Sequence, residues 1–305
     1  RTLERLASAG ARDFYDGALA RETAAQMQAA GGRLSLSDLA AFRAREVDPL
    51  VIGYRGARVF ATPELTAGPT LAYALRELTQ RLNPAAAPDG AAYVAYAEAL
   101  QAAYAFRLEA MGDVDGGRAP GCTTHFCVAD AQGNIAAVTQ TLLSVFGSRF
   151  TLPDSGVLMN NGIMWFDPEP GRANSLAPGK RCLTNYCPIV VEAGDAHVAL
   201  GASGGRRILP AVTQLLSFMV DFDMSLHDAF HTPRIDASEG TLVIGDAQLA
   251  PSVHAALAQR FEYVQARRQT LPFKFACPSG ALHRRGRNVG ASEPGAPWGE
   301  AVAAE

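Results

Sequence analysis

The stretch Gly121-Cys122-Thr123-Thr124-His125-Phe126-Cys127-Val128 constrains the chain most, because it sets two adjacent hydroxyls at the start of an extended run. Phe126 and Val128, then Ile135, Ala137, Thr139 and Thr141, make two β-prone runs, and Asp130-Ala131-Gln132-Gly133-Asn134 between them supplies hairpin turn residues. A loop of four or five residues brings Thr141 opposite Thr123 or Thr124, and a one-residue slip sends it to the other face. A threonine becomes a good nucleophile when the chain is cut just before it. Its freed α-amine, with an unperturbed pKa near ~8, then takes the hydroxyl proton. The pattern suggests a hidden N-terminus at Thr123. The competing reading is a threonine-rich edge strand, in which Thr141 is a cross-strand partner contributing under ~1 kcal/mol.

A chain of 305 residues, 48% hydrophobic, can bury a large core as one domain or two. The formal net charge of −3 gives no electrostatic footprint for nucleic acid or an acidic membrane surface. The longest helix-like apolar stretch, Ile208 to Phe222, is interrupted by Pro210, Thr213, Gln214 and Asp221, so no membrane span is expected. Five cysteines without CxxC spacing argue against a disulfide framework and lean toward a reducing compartment, leaving export open. Arg1 begins inside a helical pattern, so the chain reads as lacking its natural start.

Residues Thr2 to Ala30 fit two or three short helices closed by Gly31-Gly32, and Ser37-Asp38 reads as the next helix cap. Residues 51–54 and 57–60 look like paired strands around Arg55-Gly56. Helices are expected from Thr70 to about Leu82 and from Ala91 to about Met111, the second with an apolar stripe Val94, Ala97, Leu100, Tyr104 and Leu108. Gly112 to Gly121 reads as an exposed glycine-rich loop and a boundary. A second hairpin pairs Ile189-Val190-Val191 with His197-Val198-Ala199-Leu200, and Gly201-Ala202-Ser203-Gly204-Gly205 leads into a helix from about Arg207.

Three motifs carry candidate chemistry. Gly204-Gly205 lies between strand and helix, where backbone N–H groups can face an oxyanion, or it is an ordinary tight turn. The same run matches G-x-S-x-G, the nucleophile elbow of α/β-hydrolases, with Ser203 as nucleophile, Asp221 or Asp223 as acid and His227, His254 or His283 as base. His227 and His231 are spaced to share a helix face as zinc ligands, but the glutamate of H-E-x-x-H is missing and no third ligand is specified.

Thr123-Thr124-His125-Phe126, Asp130, Gly133-Asn134, Val138-Thr139-Gln140-Thr141-Leu142 and Phe146-Gly147 together resemble the start of the small subunit of the γ-glutamyltranspeptidase family, self-cleaving N-terminal-nucleophile hydrolases. Further matches follow in family order at Ser155 to Leu158, Asn160-Asn161, Pro178 to Arg181, Gly204-Gly205, Ala229 to Arg234 and Gly286 to Ala291. The resemblance implies an α+β, four-layer αββα N-terminal-nucleophile fold, of which this chain supplies part. It divides the chain into 1–122, the end of a large-subunit-like region, and 123–305, a small-subunit-like catalytic region that separate on cleavage between Cys122 and Thr123. It also implies catalytic roles for Thr123, Thr141, Gly204 and Gly205, and an acyl-enzyme mechanism needing no metal or organic cofactor. The partners it implies are a small-molecule amide and a water or amine acceptor.

The substrate determinants depart from the glutamyl-specific pattern. Leu143 replaces an asparagine, Trp165 stands where the family holds the substrate's ammonium with a carboxylate, and Thr184-Asn185 replace two serines. An ammonium left unpaired against indole and leucine costs several kcal/mol unless a cation–π contact offsets it. Two alternatives follow: an acylase-like or oxamate-type amidohydrolase that does not use γ-glutamyl substrates, and an uncleaved binding or scaffold protein.

Overall fold

The computed structural model describes residues 1–111, 121–269 and 274–303. Positions 112–120 of the expected glycine-rich loop lie outside the described residues. The chain divides into two compact units, residues 1–47 with 142–162, and residues 48–141 with 163–305.

The first unit holds α1 (Thr2–Ala9), α2 (Asp13–Asp16), α3 (Ala18–Ala29) and α4 (Leu36–Ala41), around a small core of Ala20, Ala24 and Leu39. The expected cap of α4 shifts by two residues. Ser35 is the N-cap, accepting from the Asp38 N–H while the Asp38 carboxylate accepts from the Ser35 N–H, because an acid at the third helical position completes a reciprocal capping box. In the 142–162 segment, Asn161 receives the Ser144 N–H and donates to the Ser144 hydroxyl.

In the second unit, β1 (Leu50–Tyr54) and β2 (Ala57–Ala61) precede α5 (Gly68–Arg81) and α6 (Gly90–Met111). β3 (Gly121–Ala129) and β4 (Ile135–Ser144, its last residues in the first unit) form the predicted hairpin, followed by β5 (Ile189–Ala193) and β6 (Ala196–Ser203). A short 3₁₀ turn over Gly205–Arg207 feeds α7 (Ile208–Asp221), and α8 (Leu226–His231) follows. Periodicity assigned nothing to the remainder, which holds β7 (Ile235–Glu239), β8 (Leu242–Asp246), α9 (Pro251–Arg260), β9 (Glu262–Ala266), β10 (Cys277–Arg284) and β11 (Arg287–Ser292).

Six strands form one antiparallel sheet in the order β1-β2-β5-β6-β10-β11. β7, β8 and β9 make a small sheet in which α9 connects the parallel pair β8 and β9. Alternation along β6 shows how the main sheet is covered. Val198, Leu200 and Ala202 join the core built with α5, α6 and α7, whereas Gly201 faces β3 on the opposite side. The hairpin thus lies on one face of the sheet and the helices on the other.

α6 is buried on most sides because it packs against α5, α9 and β7. Its expected stripe needs one correction: Leu108 is exposed, and the buried place belongs to its neighbour Arg107, 1% exposed. Among the described residues no helix is long and apolar enough to cross a membrane.

Candidate active site

The Thr123 hydroxyl donates to the Thr141 hydroxyl at 3.2 Å, which settles the register: Thr141 faces Thr123 rather than Thr124. Thr123, His125 and Cys127 on β3, with Ile135, Ala137, Thr139 and Thr141 on β4, occupy the half-buried face, while Thr124, Phe126 and Val128 point outward. The link between Cys122 and Thr123 falls inside β3. At the turn, the Asp130 carboxylate accepts from the N–H groups of Gln132 and Asn134, and Asn288 Nδ2 donates to the Ala129 and Asp130 carbonyls, tying this end to β11.

Two residues beyond Thr123, the His125 ring makes hydrogen-bond contacts from Nδ1 to the Thr139 hydroxyl at 2.8 Å and from Nε2 to Cys127 Sγ at 3.2 Å. Burial holds the imidazole down to a pKa of about 4 and pushes the Cys127 thiol up to about 12, so both are neutral near pH 7. The Ser279 hydroxyl donates to the His125 carbonyl, and Cys127 Sγ contacts the Ser279 carbonyl. His125 lies over Gly201 at Ser279, and Cys127 reaches onward to the Ala281 backbone, so β3 runs with β10 and against β6. Going back from His125 to Thr123 therefore moves toward Cys277 and Ser203, the strand end that enters Gly204-Gly205.

Gly204 has φ 138° and Gly205 φ 62°, conformations that favour glycine. At Gly204 a side chain would also meet the Ala276 Cα at 2.9 Å. These residues open a helical segment, so their N–H groups have no intrahelical acceptor. The following arginines are anchored to β7, with Arg206 Nε donating to the Ser238 carbonyl at 3.1 Å and Arg207 Nη2 to Glu239 at 2.7 Å.

The sequence missed Arg107. Its Nη2 donates to the Thr184 carbonyl at 2.9 Å and to Asn185 Oδ1 at 3.1 Å, and its Nη1 donates to the Thr70 hydroxyl at 3.2 Å. The available signal was its position three residues after Tyr104 on a buried helix stripe. Trp165 packs edge-to-face on Tyr186, directly after Thr184-Asn185, with centroids 5.7 Å apart and planes at 82°. Leu143 belongs to the first unit and takes a left-handed φ of 76°.

The structure does not assemble the other candidates. Ser203 ends an antiparallel strand and contacts the Cys277 carbonyl, whereas an elbow nucleophile sits after a strand of a parallel sheet. The nominated acid Asp221 accepts from Tyr54 and Ser217, and the histidines 254 and 283 engage Tyr263 and Asn288. His227 and His231 share a face, ring centroids 4.1 Å apart, but the His231 Nδ1 is taken by the His227 carbonyl. Among the described residues no group of three or more metal-ligating side chains converges, and four cysteines are free thiols.

The γ-glutamyltranspeptidase family model matches residues 1–121 and 116–276. The chain is 30% identical to the acylase ACY 1 proenzyme of Pseudomonas sp. strain SE83 over 88% of its own length and 54% of that protein's. It is also 30% identical to the glutathione hydrolase proenzyme of Escherichia coli K12, over 77% and 49%. The chain thus spans about half the length of these relatives. Among solved structures, the cephalosporin acylase of Bacillus halodurans superimposes with a TM-score of 0.84 at 23% identity, covering 96% of this chain and 60% of that one. The γ-glutamyltranspeptidase of Pseudomonas nitroreducens gives 0.51 at 24%, over 59% and 100%. These two share its mixed helix-and-sheet fold; taken with the family-model match over most of its length, the chain belongs to the γ-glutamyltranspeptidase family.

Proposed function

We propose that the protein is a self-processing amidohydrolase whose nucleophile is Thr123, working within a four-layer αββα architecture of which this chain forms part. The observation that carries the reading is the 3.2 Å contact between the Thr123 and Thr141 hydroxyls, on the half-buried face of the hairpin. Cleavage between Cys122 and Thr123 separates residues 1–122 from 123–305 and frees the α-amine of Thr123. That amine takes the hydroxyl proton while Oγ1 attacks the amide carbon, and the N–H groups of Gly204 and Gly205 face the resulting oxyanion. The proton passes to the leaving amine as the C–N bond breaks, and water or an amine then resolves the acyl ester. Thr141 orients the hydroxyl.

The acyl group is proposed to lack an α-ammonium. Trp165, packed against Tyr186, supplies an apolar wall where a carboxylate clamp would be needed, while Thr184 and Asn185, held by Arg107, keep polar groups for the rest of the acyl chain. An acylase is therefore favoured over a γ-glutamyl enzyme on the pocket residues, since acylase and glutathione hydrolase proenzymes stand at the same 30% identity. Incubation of the pure full-length protein followed by intact mass and N-terminal sequencing tests it. The expected new terminus is Thr-Thr-His-Phe, and a backbone that stays intact at Cys122-Thr123 leaves the mechanism without its base and favours a silent scaffold.

A further inference from the structure

The hydrophobic pattern of β3 does not set its own register. The face turned onto the main sheet carries Thr123, His125 and Cys127, while the outward face carries Thr124, Phe126 and Val128, with Phe126 43% and Val128 53% exposed. By apolarity alone the strand would sit more favourably turned over, which would carry Thr123 to the wrong side. Something other than hydrophobic alternation has to hold it as observed.

That device is visible two residues from Thr123. A Cβ at Gly201 would lie 2.2 Å from the His125 Cε1, 2.6 Å from Nε2 and 2.7 Å from Nδ1, so the ring occupies the notch that the missing side chain leaves in β6. Thr139 closes on Nδ1 from β4, Cys127 on Nε2 along β3, and the Ser279 hydroxyl holds the His125 carbonyl from β10. The imidazole thereby touches both strands of the hairpin and the sheet beneath. A side chain at Gly201 would collide with the His125 ring as it is seated.

We infer that His125, seated in the Gly201 notch and tied to Thr139, is a positioning residue that locks the hairpin in the register presenting Thr123 to Thr141 and to the Gly204-Gly205 turn. The imidazole carries no proton in the reaction. It sets where the nucleophile stands, and a nucleophile displaced by an ångström loses roughly a hundredfold in rate.

The inference rests on Thr123 being the nucleophile, and the experiment separates the two ideas. Full-length His125→Asn, which empties the notch, Gly201→Ala, which fills it, and the double variant are compared with wild type. The readouts are kcat and KM for glutaryl p-nitroanilide, the pH profile of kcat/KM, and amide hydrogen exchange of β3 against β6. Each single variant is expected to lower kcat roughly ten- to a hundred-fold with KM within about twofold, unmoved pH limbs, and faster exchange in β3 but not β6. Since both changes act through one contact, the double variant falls no further than the worse single. Unchanged kcat, additive losses, or a displaced pH limb in His125→Asn overturn the inference. If wild type neither exposes Thr123 nor turns over the anilide, the nucleophile reading fails. The exchange arm still decides then: β3 loosened in both variants sustains the clamp, and β3 unchanged in either removes it.

Discussion

Arg107 donates to the side-chain oxygen of Asn185 from a position that is 1% exposed, so a cation inside the core holds the edge of the proposed acyl pocket. The guanidinium reaches Thr66, Thr70, Thr184 and Asn185 at once because its donors fan out in a plane. Arg107→Lys offers a point charge with three donors and leaves some of these acceptors unpaired, at about 1–3 kcal/mol for each buried group. Chemical denaturation should show a loss of that order. In the surviving enzyme KM for the donor should rise more than kcat falls, since the pocket edge contacts the bound acyl group in ground and transition states alike.

Thr141→Val tests the hydroxyl pair with little change in shape. The Thr123 hydroxyl loses an acceptor at 3.2 Å, a hydrogen bond that contributes about 1 kcal/mol, so kcat/KM should fall roughly five- to tenfold while thermal stability changes little. A wild-type rate in this variant would remove Thr141 from the proposed mechanism.

His125 also makes a pH prediction with a definite sign. Its folded pKa of about 4 lies below the ordinary 6.5, so between those values the unfolded chain binds a proton that the native state refuses. The stability it contributes is complete above pH 6.5 and is lost as pH falls through 4, amounting to about 3 kcal/mol. Asp236 works in the opposite sense: burial raises its carboxyl to about 6 from 3.8, so its term favours the native state below 3.8 and is lost as pH rises through 6. The two partly cancel in wild type. The comparison that isolates His125 is the denaturation midpoint from pH 7 to 4 in wild type and in His125→Asn, where the variant should decline less on acidification.

The first hairpin was legible because its turn residues and its two β-prone runs lie within about twenty residues of each other, where local chemistry fixes its length and strand pairing, though not which face turns onto the main sheet. The diglycine turn was legible for a similar reason: the strand before it and the helix after it are contiguous in sequence. His125 over Gly201 spans the two hairpins, and nothing local at Gly201 distinguishes a notch from a flexible point. Arg107 reads as one more charge near the end of a helix until α5 and the Thr184-Asn185 segment close around it. The cap at Ser35 was misplaced by two residues because Ser37-Asp38 offers the same residue types, and only the reciprocal bond to Asp38 separates the choices.

The last prediction concerns the acyl group. Trp165 presents an indole that packs on Tyr186 at a position where an ammonium-binding carboxylate stands in the resembled pattern. A charge-assisted hydrogen bond typically contributes about 1.5–3 kcal/mol, so its absence corresponds to roughly ten- to a hundred-fold in kcat/KM. The processed enzyme should therefore prefer a glutaryl anilide over its γ-glutamyl counterpart, which differs only by the amino group. Trp165→Asp should narrow or reverse that preference by restoring a carboxylate, mostly through kcat/KM for the γ-glutamyl donor. Its expected cost in stability is the lost aromatic pair, about 0.5–1.5 kcal/mol beyond the buried area. A wild-type preference for the γ-glutamyl anilide would mean that another group holds the ammonium and that Trp165 has a different purpose.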